Sequence, residues 1–297
     1  MRILVIGEGM VEFTREQDRW VQGIGGDTLN TAIHLARLGA DVAYASALGE
    51  DMFSAALREA IVAEGVDASL VATDAQRQCG IYFVSTDAAG ERSFTYWRSQ
   101  SAARAMMETL DADRLGTAMA EAELVHLSLI SLAILPEEGR ERLRDLVRQA
   151  KAAGTRISFD SNYRPILWQS REEAARWSAA MASLADIGLP TLEDEVALGT
   201  AGDAAGVSAA WSALGCHEVV VKCGSAGCLV PGGEAIAAQA VAVVDTSGAG
   251  DSFNAAYLHG RLSGLPPAEA ARRATKLAGW VVGRKGAIPA AEPNIYS

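Results

Sequence analysis

Cysteine is scarce in this sequence. Four thiols, Cys79, Cys216, Cys223 and Cys228, are too few to staple 297 residues into a disulfide framework. No two of them stand in a CxxC pair. Although three lie near His217, they read as small apolar fillers rather than as a zinc site. Positive charge is also in short supply, with 26 Lys and Arg against 37 Asp and Glu and a net charge of −11. A field of that sign repels nucleic acid and anionic membrane, so neither is an expected partner. An anionic ligand would need a local cluster of cations or oriented amides. No apolar run reaches about eighteen residues, and the opening "RILVIG" reads as a strand rather than a cleavable signal, so a soluble, cytoplasmic protein is expected. The common nucleotide signatures are missing too. "VIGEGM" has two glycines of GxGxxG, but the third position is Glu12, an acid where a pyrophosphate would pass. That disfavours an NAD-linked oxidoreductase. Neither GxxxxGK[ST] nor the HRD and DFG elements of protein kinases occur.

What is present is an alternation of short β-rich runs with helical patterns. Strands are expected at 2–7, 42–47, 124–128, 156–160 and 218–223. Helices are expected from "TLNTAIHLARLGA" and at 51–64, 137–152, 171–183 and 203–214, with the last two starting near 249 and 267. This order predicts a mostly parallel central sheet covered by helices on both faces, a three-layer α/β/α core in a single domain over 1–297. One region breaks the rhythm. "CGIYFVSTDAAGERSFTYWR" is two β-rich runs joined by a polar turn with no helix between them. With "VEFTREQDRWVQGIGGD" it predicts a small β-sheet lid, built from segments at approximately 11–24 and 77–99 inserted in the core. Its edges invite pairing, so a homo-oligomer is expected.

Several stretches have the makings of a site. In "GIGGDTLN", Gly25 and Gly26 permit close backbone approach, and Asp27 and Asn30 share a face from which both could bond ligand hydroxyls. The same pattern would also serve a helix capped by Asp27 or Thr28. In the hairpin, Phe94, Tyr96 and Arg98 share one face, and a ring beside a guanidinium suits a ligand carboxylate; an ordinary exposed strand reads alike. "ISFDSNYRP" ends a strand with Asp160, Ser161, Asn162 and Arg164, the last held extended by Pro165 and equally suited to a loop salt bridge. In "VVVKCGSAGCLV", the Lys222 amine and the amides of Gly224, Ser225 and Gly227 could meet a nucleotide, or simply form a turn. The strongest stretch is "VVDTSGAGDSFNAAYLHGRL". The amides of residues 248–251 would lie at a helix N-terminus, where the dipole adds about half a positive charge and anions bind. Asp251 in that same turn is a paradox unless the two serve opposite ends of one phosphoryl transfer. The amides would receive charge on the phosphorus oxygens, and the carboxylate would take a proton from the attacking hydroxyl. The plain alternative is an acid that stabilises the first helical turn.

Two of these stretches, "GGDTLNTAIHLARLGADVAYASALGEDMFS" and "DTSGAGDSFNAAYL", are similar to the two signature regions of ribokinase-like (PfkB) carbohydrate kinases, in matching order and separation. "GERSFTYWR", "HLSLISLAIL" and "FDSNYRPILW" further resemble the 2-keto-3-deoxygluconate kinases, and the similarity runs from Arg2 to about Pro289. The resemblance implies a ribokinase-like fold, ATP as donor with Mg2+ riding on it, and transfer to the terminal hydroxyl of 2-keto-3-deoxygluconate. It implies Asp251 as the base and Gly248, Ala249 and Gly250 as the anion hole. Gly25, Gly26, Asp27 and Asn30 would hold the sugar-acid hydroxyls, with Tyr82, Tyr96, Arg98, Ile130 and Arg164 completing the pocket. Asn162, Arg164, Lys222, Gly224, Ser225, Gly227, Thr246, Gly248 and Gly250 would face the nucleotide. A monovalent cation near Asp245 and Thr246 is left open. One departure concerns the metal: where many members have NxxE, "PTLEDEVALG" has Thr191, leaving Asp194 or Glu195 to act, through water. Fructose, ribose, a nucleoside or 2-keto-3-deoxygalactonate remain alternative substrates, and a non-catalytic sugar-binding module is a further reading that an intact GAGD disfavours.

Overall fold

The computed structural model describes residues 2–86 and 92–296. The polar turn expected between the two hairpin runs, at 87–91, lies outside them. The central sheet has seven strands, in the order Glu218–Val219, Ile187–Gly188, Arg156–Asp160, Leu124–Ser128, Arg2–Ile6, Asp41–Leu48 and Asp67–Thr73. Every neighbouring pair is parallel. Arg2–Ile6 sits mid-sheet, which explains why its sequence is a continuous apolar run rather than an alternation. Leu4 and Ile6 face one hydrophobic layer while Ile3 and Val5 face the other. The first layer is closed by helices that include Glu137–Ala152 and Arg171–Ala182, the second by Asp27–Arg37, Ala249–Leu262 and Pro267–Val282. This is the expected three-layer arrangement.

Several elements, most of them short, were not anticipated, among them the strand Ala235–Ile236 and the helices Leu129–Ala133 and Leu192–Leu198. Asp67–Thr73 and the short Ile187–Gly188 complete the sheet towards its edges, and residues 102–121 fold into short helical segments. The run expected as one strand at 218–223 divides. Glu218–Val219 belongs to the central sheet, whereas Val221–Lys222 pairs antiparallel with Cys228–Leu229, which in turn pairs with Ala235–Ile236. That division turns Lys222 away from the sheet edge and towards the crevice beyond the strand ends.

The lid is a four-stranded sheet in the order Arg19–Gly25, Met10–Glu16, Gly80–Thr86 and Arg92–Trp97. Its two hairpins are joined through the parallel pair Met10–Glu16 and Gly80–Thr86. Tyr82 faces Tyr96 and Val84 faces Phe94, so the alternation read from the hairpin holds. On the reverse face Phe13, Trp20 and Trp97 gather around Phe83 with ring centroids 4.8–5.2 Å apart. Aromatic packing of this kind gives a thin sheet a core of its own.

Candidate active site

The C-terminal ends of the parallel strands converge under the lid, the position at which open α/β sheets bind ligands. Asp251 lies in the first turn of Ala249–Leu262 and is buried. Its carboxylate accepts a hydrogen bond from Asn30 Nδ2 at 2.7 Å, and Thr31 Oγ1 donates to its main-chain carbonyl at 3.2 Å. Burial, reinforced by the nearby Asp27 and then Asp160, pushes its carboxyl up to about 7, while Asn30 and Lys222 work in the other direction. A carboxyl so placed is half ionised near neutrality, as a general base requires.

Gly248 precedes this helix with φ of +71°. A side chain there would be strained, and its Cβ would lie 2.6 Å from that of Ala287. The first rung of the ladder runs from the Ser252 amide to the Gly248 carbonyl at 2.9 Å, which leaves the Gly250 and Asp251 amides ahead of it. The Ala249 amide instead bonds the Thr246 carbonyl at 3.3 Å, so one expected donor turns inward. The Lys222 ammonium supplies charge at the same point, 3.6 Å from where a Cβ on Gly250 would stand.

Lys222 is itself buried. Its Nζ donates to Asp160 at 2.8 Å and to Asn254 Oδ1 at 3.1 Å, and Asn254 Nδ2 closes the triangle on Asp160 at 2.6 Å. Burial works to raise the Asp160 carboxyl, but the Lys222 ammonium and the hydrogen bonds from Lys222 and Asn254 overcome it and hold the group below its ordinary range. Gly224 and Ser225 are exposed in the turn that follows, and Gly227, with φ of +99°, packs where a Cβ would meet the Ile236 carbonyl oxygen at 2.0 Å. Thr246 is exposed beside Asp245, whose carboxylate accepts from the amides of Ser247 and Gly286.

On the opposite wall, Asp27 does not cap its helix: the cap residue is Gly26, with no side-chain bond. The Asp27 carboxylate instead accepts from Ser128 Oγ, and from Asn162 Nδ2 at 3.0 Å. Asn162, expected beside the nucleotide, is thereby drawn to the Asp27 side. Asn30 Oδ1 is buried and has no partner among the described residues, so it offers an acceptor to a ligand hydroxyl. Gly25 is required by close approach, because a Cβ there would lie 2.1 Å from the Tyr82 hydroxyl. Tyr82 donates to Glu12, and its ring lies 5.8 Å from that of Tyr96. Ile130 is buried in the short helix that follows the strand carrying Ser128.

The two arginines differ. Arg164 is extended and half exposed, its Nη1 donating to the Tyr163 carbonyl at 2.9 Å and lying 3.8 Å from Asp194. Arg98, expected to be open to a ligand carboxylate, is buried and already ion-paired with the buried Glu8. Its Nε nevertheless has no hydrogen-bond acceptor among the described residues.

Among the described residues no three His, Cys, Asp or Glu side chains group into a metal cage. Asp194 still fits a hydrated cation. Burial, with Asp160 adding, pushes its carboxyl up to about 6 against the pull of Arg164 and Lys222. A desolvated carboxylate beside the crevice suits an ion that keeps its waters and takes its remaining oxygens from phosphate. Glu195 is raised by burial and has one buried oxygen without a partner among the described residues.

Glu8, Glu12, Ser128 and Asn254 were not among the residues picked from the sequence as the site, and Asp160 was named there only as the polar end of its strand. Asn254 was findable, since it follows Asp251 by three positions and so shares its helix face. Glu8 and Glu12 lay in the failed dinucleotide pattern, where Glu12 counted only as an obstacle and Glu8 as an unconstrained position.

Comparison with known proteins accords with this geometry. The family model described as pfkB family carbohydrate kinase matches residues 2–294. A 2-dehydro-3-deoxygluconokinase of Dickeya dadantii (strain 3937) is 41% identical, with 96% of each chain covered. The aminoimidazole riboside kinase of Salmonella enterica, solved with aminoimidazole riboside and an ATP analogue, superposes with a TM-score of 0.85 at 26% identity over the whole of both chains. A Vibrio cholerae O395 fructokinase, solved with fructose, ADP and calcium bound, gives 0.83 at 25% identity, over 97% of this chain and 95% of its own.

Proposed function

Since this chain belongs to the pfkB family of carbohydrate kinases, with its α/β core and β lid, we propose that it transfers the γ-phosphate of ATP to the terminal hydroxyl of 2-keto-3-deoxygluconate, giving the 6-phosphate. The observation that carries the reading is Asp251, a buried carboxyl pushed up to about 7 and held by Asn30 beside the helix N-terminus that Gly248 opens.

The steps follow from this chain's own groups. Asp27 and the unpartnered Asn30 Oδ1 engage sugar hydroxyls, with Tyr82 and Tyr96 covering them from the lid. Asp251 takes the proton of the attacking hydroxyl, an assistance worth about 10²–10⁴ in rate. On the far side of the phosphorus, the Gly250 and Asp251 amides and the Lys222 ammonium receive the charge that builds on the transferring group. Removing one such donor costs about 3 kcal/mol. Lid closure over the sugar excludes water that would otherwise compete as acceptor. A divalent ion held through water by Asp194, with Glu195 behind it, would neutralise the phosphate oxygens of the nucleotide.

The acid is preferred over a neutral sugar because the Arg98 guanidinium carbon lies 5.8 Å from the Tyr96 ring centroid, and Arg98 and then Arg164 oppose the rise that burial gives the Tyr96 phenol, which supports a cationic side to the pocket. The 41% identity to a kinase of that name points the same way. A neutral ketose is the second reading, favoured by the pairing of Arg98 with Glu8, which offsets one of those charges. Incubation with ATP, magnesium and a panel comprising 2-keto-3-deoxygluconate, 2-keto-3-deoxygalactonate, fructose, ribose and a nucleoside, scored by ADP release, tests the proposal. Highest kcat/KM on 2-keto-3-deoxygluconate is expected. Preference for a neutral sugar would overturn the substrate assignment, and no turnover of any would overturn the kinase reading.

A further inference from the structure

The chain crosses between core and lid four times, and all four crossings meet at one residue that the chemistry above does not use. Glu8 is buried within the first crossing, between Arg2–Ile6 and Met10–Glu16. At the second, its main-chain oxygen abuts Gly26, where a Cβ would lie only 2.2 Å away. At the third, a Cβ on Gly80 would lie 2.7 Å from its Oε1. At the fourth, Oε1 accepts from Ser101 Oγ while Oε2 pairs with Arg98. A carboxylate with 1% of its residue surface exposed is costly to bury unless it is paired and hydrogen-bonded; here Oε1 accepts a hydrogen bond, while Oε2 has the ion pair with Arg98 and no hydrogen bond among the described residues.

Resting on the reading of this protein as a sugar-acid kinase, we propose that Glu8 is a positioning residue for acid recognition, holding the Arg98 guanidinium by one edge so that its remaining donors face the substrate carboxylate beside Tyr96. Arg98 is the last residue of the series Phe94, Tyr96 and Arg98 on one lid face, its guanidinium carbon 5.8 Å from the Tyr96 ring centroid. Its side chain leaves the lid just where the chain turns back into the core, and nothing but Glu8 ion-pairs with it among the described residues. Neither Nε nor Nη2 has a hydrogen-bond acceptor among those residues, so the guanidinium that Glu8 neutralises through Nη2 still has donors to be satisfied. A guanidinium has five N–H donors in a rigid fork, so one edge can be given to Glu8 while another addresses a second carboxylate. Without Glu8 the fork would keep its charge and lose its aim.

The test is a double-mutant cycle on KM for 2-keto-3-deoxygluconate and on kcat, with thermal melting run beside it. Glu8→Gln is expected to raise KM by about tenfold or more with kcat changed by less than about threefold, the split that marks lost ground-state and transition-state binding alike. Arg98→Met is expected to raise KM at least as far. In the Arg98→Met background, Glu8→Gln should add less than about twofold, because both act through one contact. Glu8→Asp, which keeps the charge and shortens its reach, should fall between wild type and Glu8→Gln, and it carries the test should the Gln variant fail to fold. Additive effects of the two substitutions would overturn the proposal. So would an unchanged or lowered KM, or a loss confined to kcat. A wild-type protein that phosphorylates neutral sugars and no keto acid overturns the substrate reading and this proposal together. One that prefers the acid while Glu8→Gln binds it normally overturns the Glu8 assignment alone.

Discussion

Replacing Asp251 by asparagine should move activity and stability in opposite directions, and the structure sets the size of both. The carboxyl is raised from 3.8 to about 7, chiefly by burial. At about 1.36 kcal/mol per unit, ionising it inside the fold costs about 4 kcal/mol before relaxation, and about 2–4 kcal/mol once water and small shifts respond. The sign follows from a folded pKa above the unfolded one. The favourable contribution of the neutral carboxyl is complete below about 4 and is lost as pH rises through about 7, so wild type bears the full cost above that. An amide never bears it. The introduced amide can also donate to Asn30 Oδ1, which has no partner among the described residues, so the pair can reorganise without leaving a buried group unsatisfied. The melting temperature of Asp251→Asn should therefore exceed that of wild type by a margin that widens by about 3–6 °C between pH 5 and pH 8, at about 2 °C per kcal/mol for a chain of this size. Over the same interval kcat should be lower by about 10²–10⁴. Wild-type kcat/KM should rise with pH up to about 7 and then level, while the residual rate of the variant stays flat. Calorimetry at the two pH values and a coupled ADP assay are sufficient. A stability gap independent of pH would refute the burial argument, and phosphoryl transfer at the native rate would refute the role of Asp251 as base.

Gly248→Ala should lower kcat by about tenfold or more while leaving KM for the sugar nearly unchanged, because a Cβ at φ of +71° is strained and meets Ala287 at 2.6 Å, displacing the amides behind it; a variant with normal kcat would show that the helix start tolerates the shift. Lys222→Met should lower stability by about 3–5 kcal/mol in urea denaturation, since it strands Asp160 as a buried, unpaired carboxylate, and adding Asp160→Asn should restore most of the loss. No recovery in the double variant would mean that Asp160 is held by other groups. Tyr82→Phe removes the donor to Glu12 but keeps the ring against Tyr96, so KM should rise by a few-fold with kcat preserved, as measured by steady-state kinetics.

Much of this protein could be read from local pattern, since local pattern is what fixes periodicity. The buried strand Arg2–Ile6, the amphipathic Asp27–Arg37 and the helix at Ala249 are expressed in runs of adjacent residues. The glycines of "GAGD" likewise signalled a helix N-terminus at Gly248, although its positive φ became evident only in the structure. The lid was legible as a helix-free interruption, and the alternation of Phe94, Tyr96 and Arg98 followed from strand geometry alone. Short elements were not legible. Ile187–Gly188 spans two residues, too few for any period to register.

What tertiary structure decided were the partnerships across long sequence separations. Asp27 could have capped its own helix on sequence grounds; that it faces Ser128 and Asn162 depends on residues 101 and 135 positions away arriving at the same crevice. Arg98 looked like an open cation until folding set it against Glu8, and the second acid of a failed glycine motif, Glu12, became the acceptor for Tyr82. Even the basicity of Asp251 is not a property of "GAGD". The tetrapeptide supplies a carboxyl and the amides, but the burial and the neighbouring charges of Asp27 and Asp160 that lift it towards neutrality come from elsewhere in the chain. Electrostatic energy depends on distance through space and on exclusion of water, neither of which a one-dimensional pattern contains.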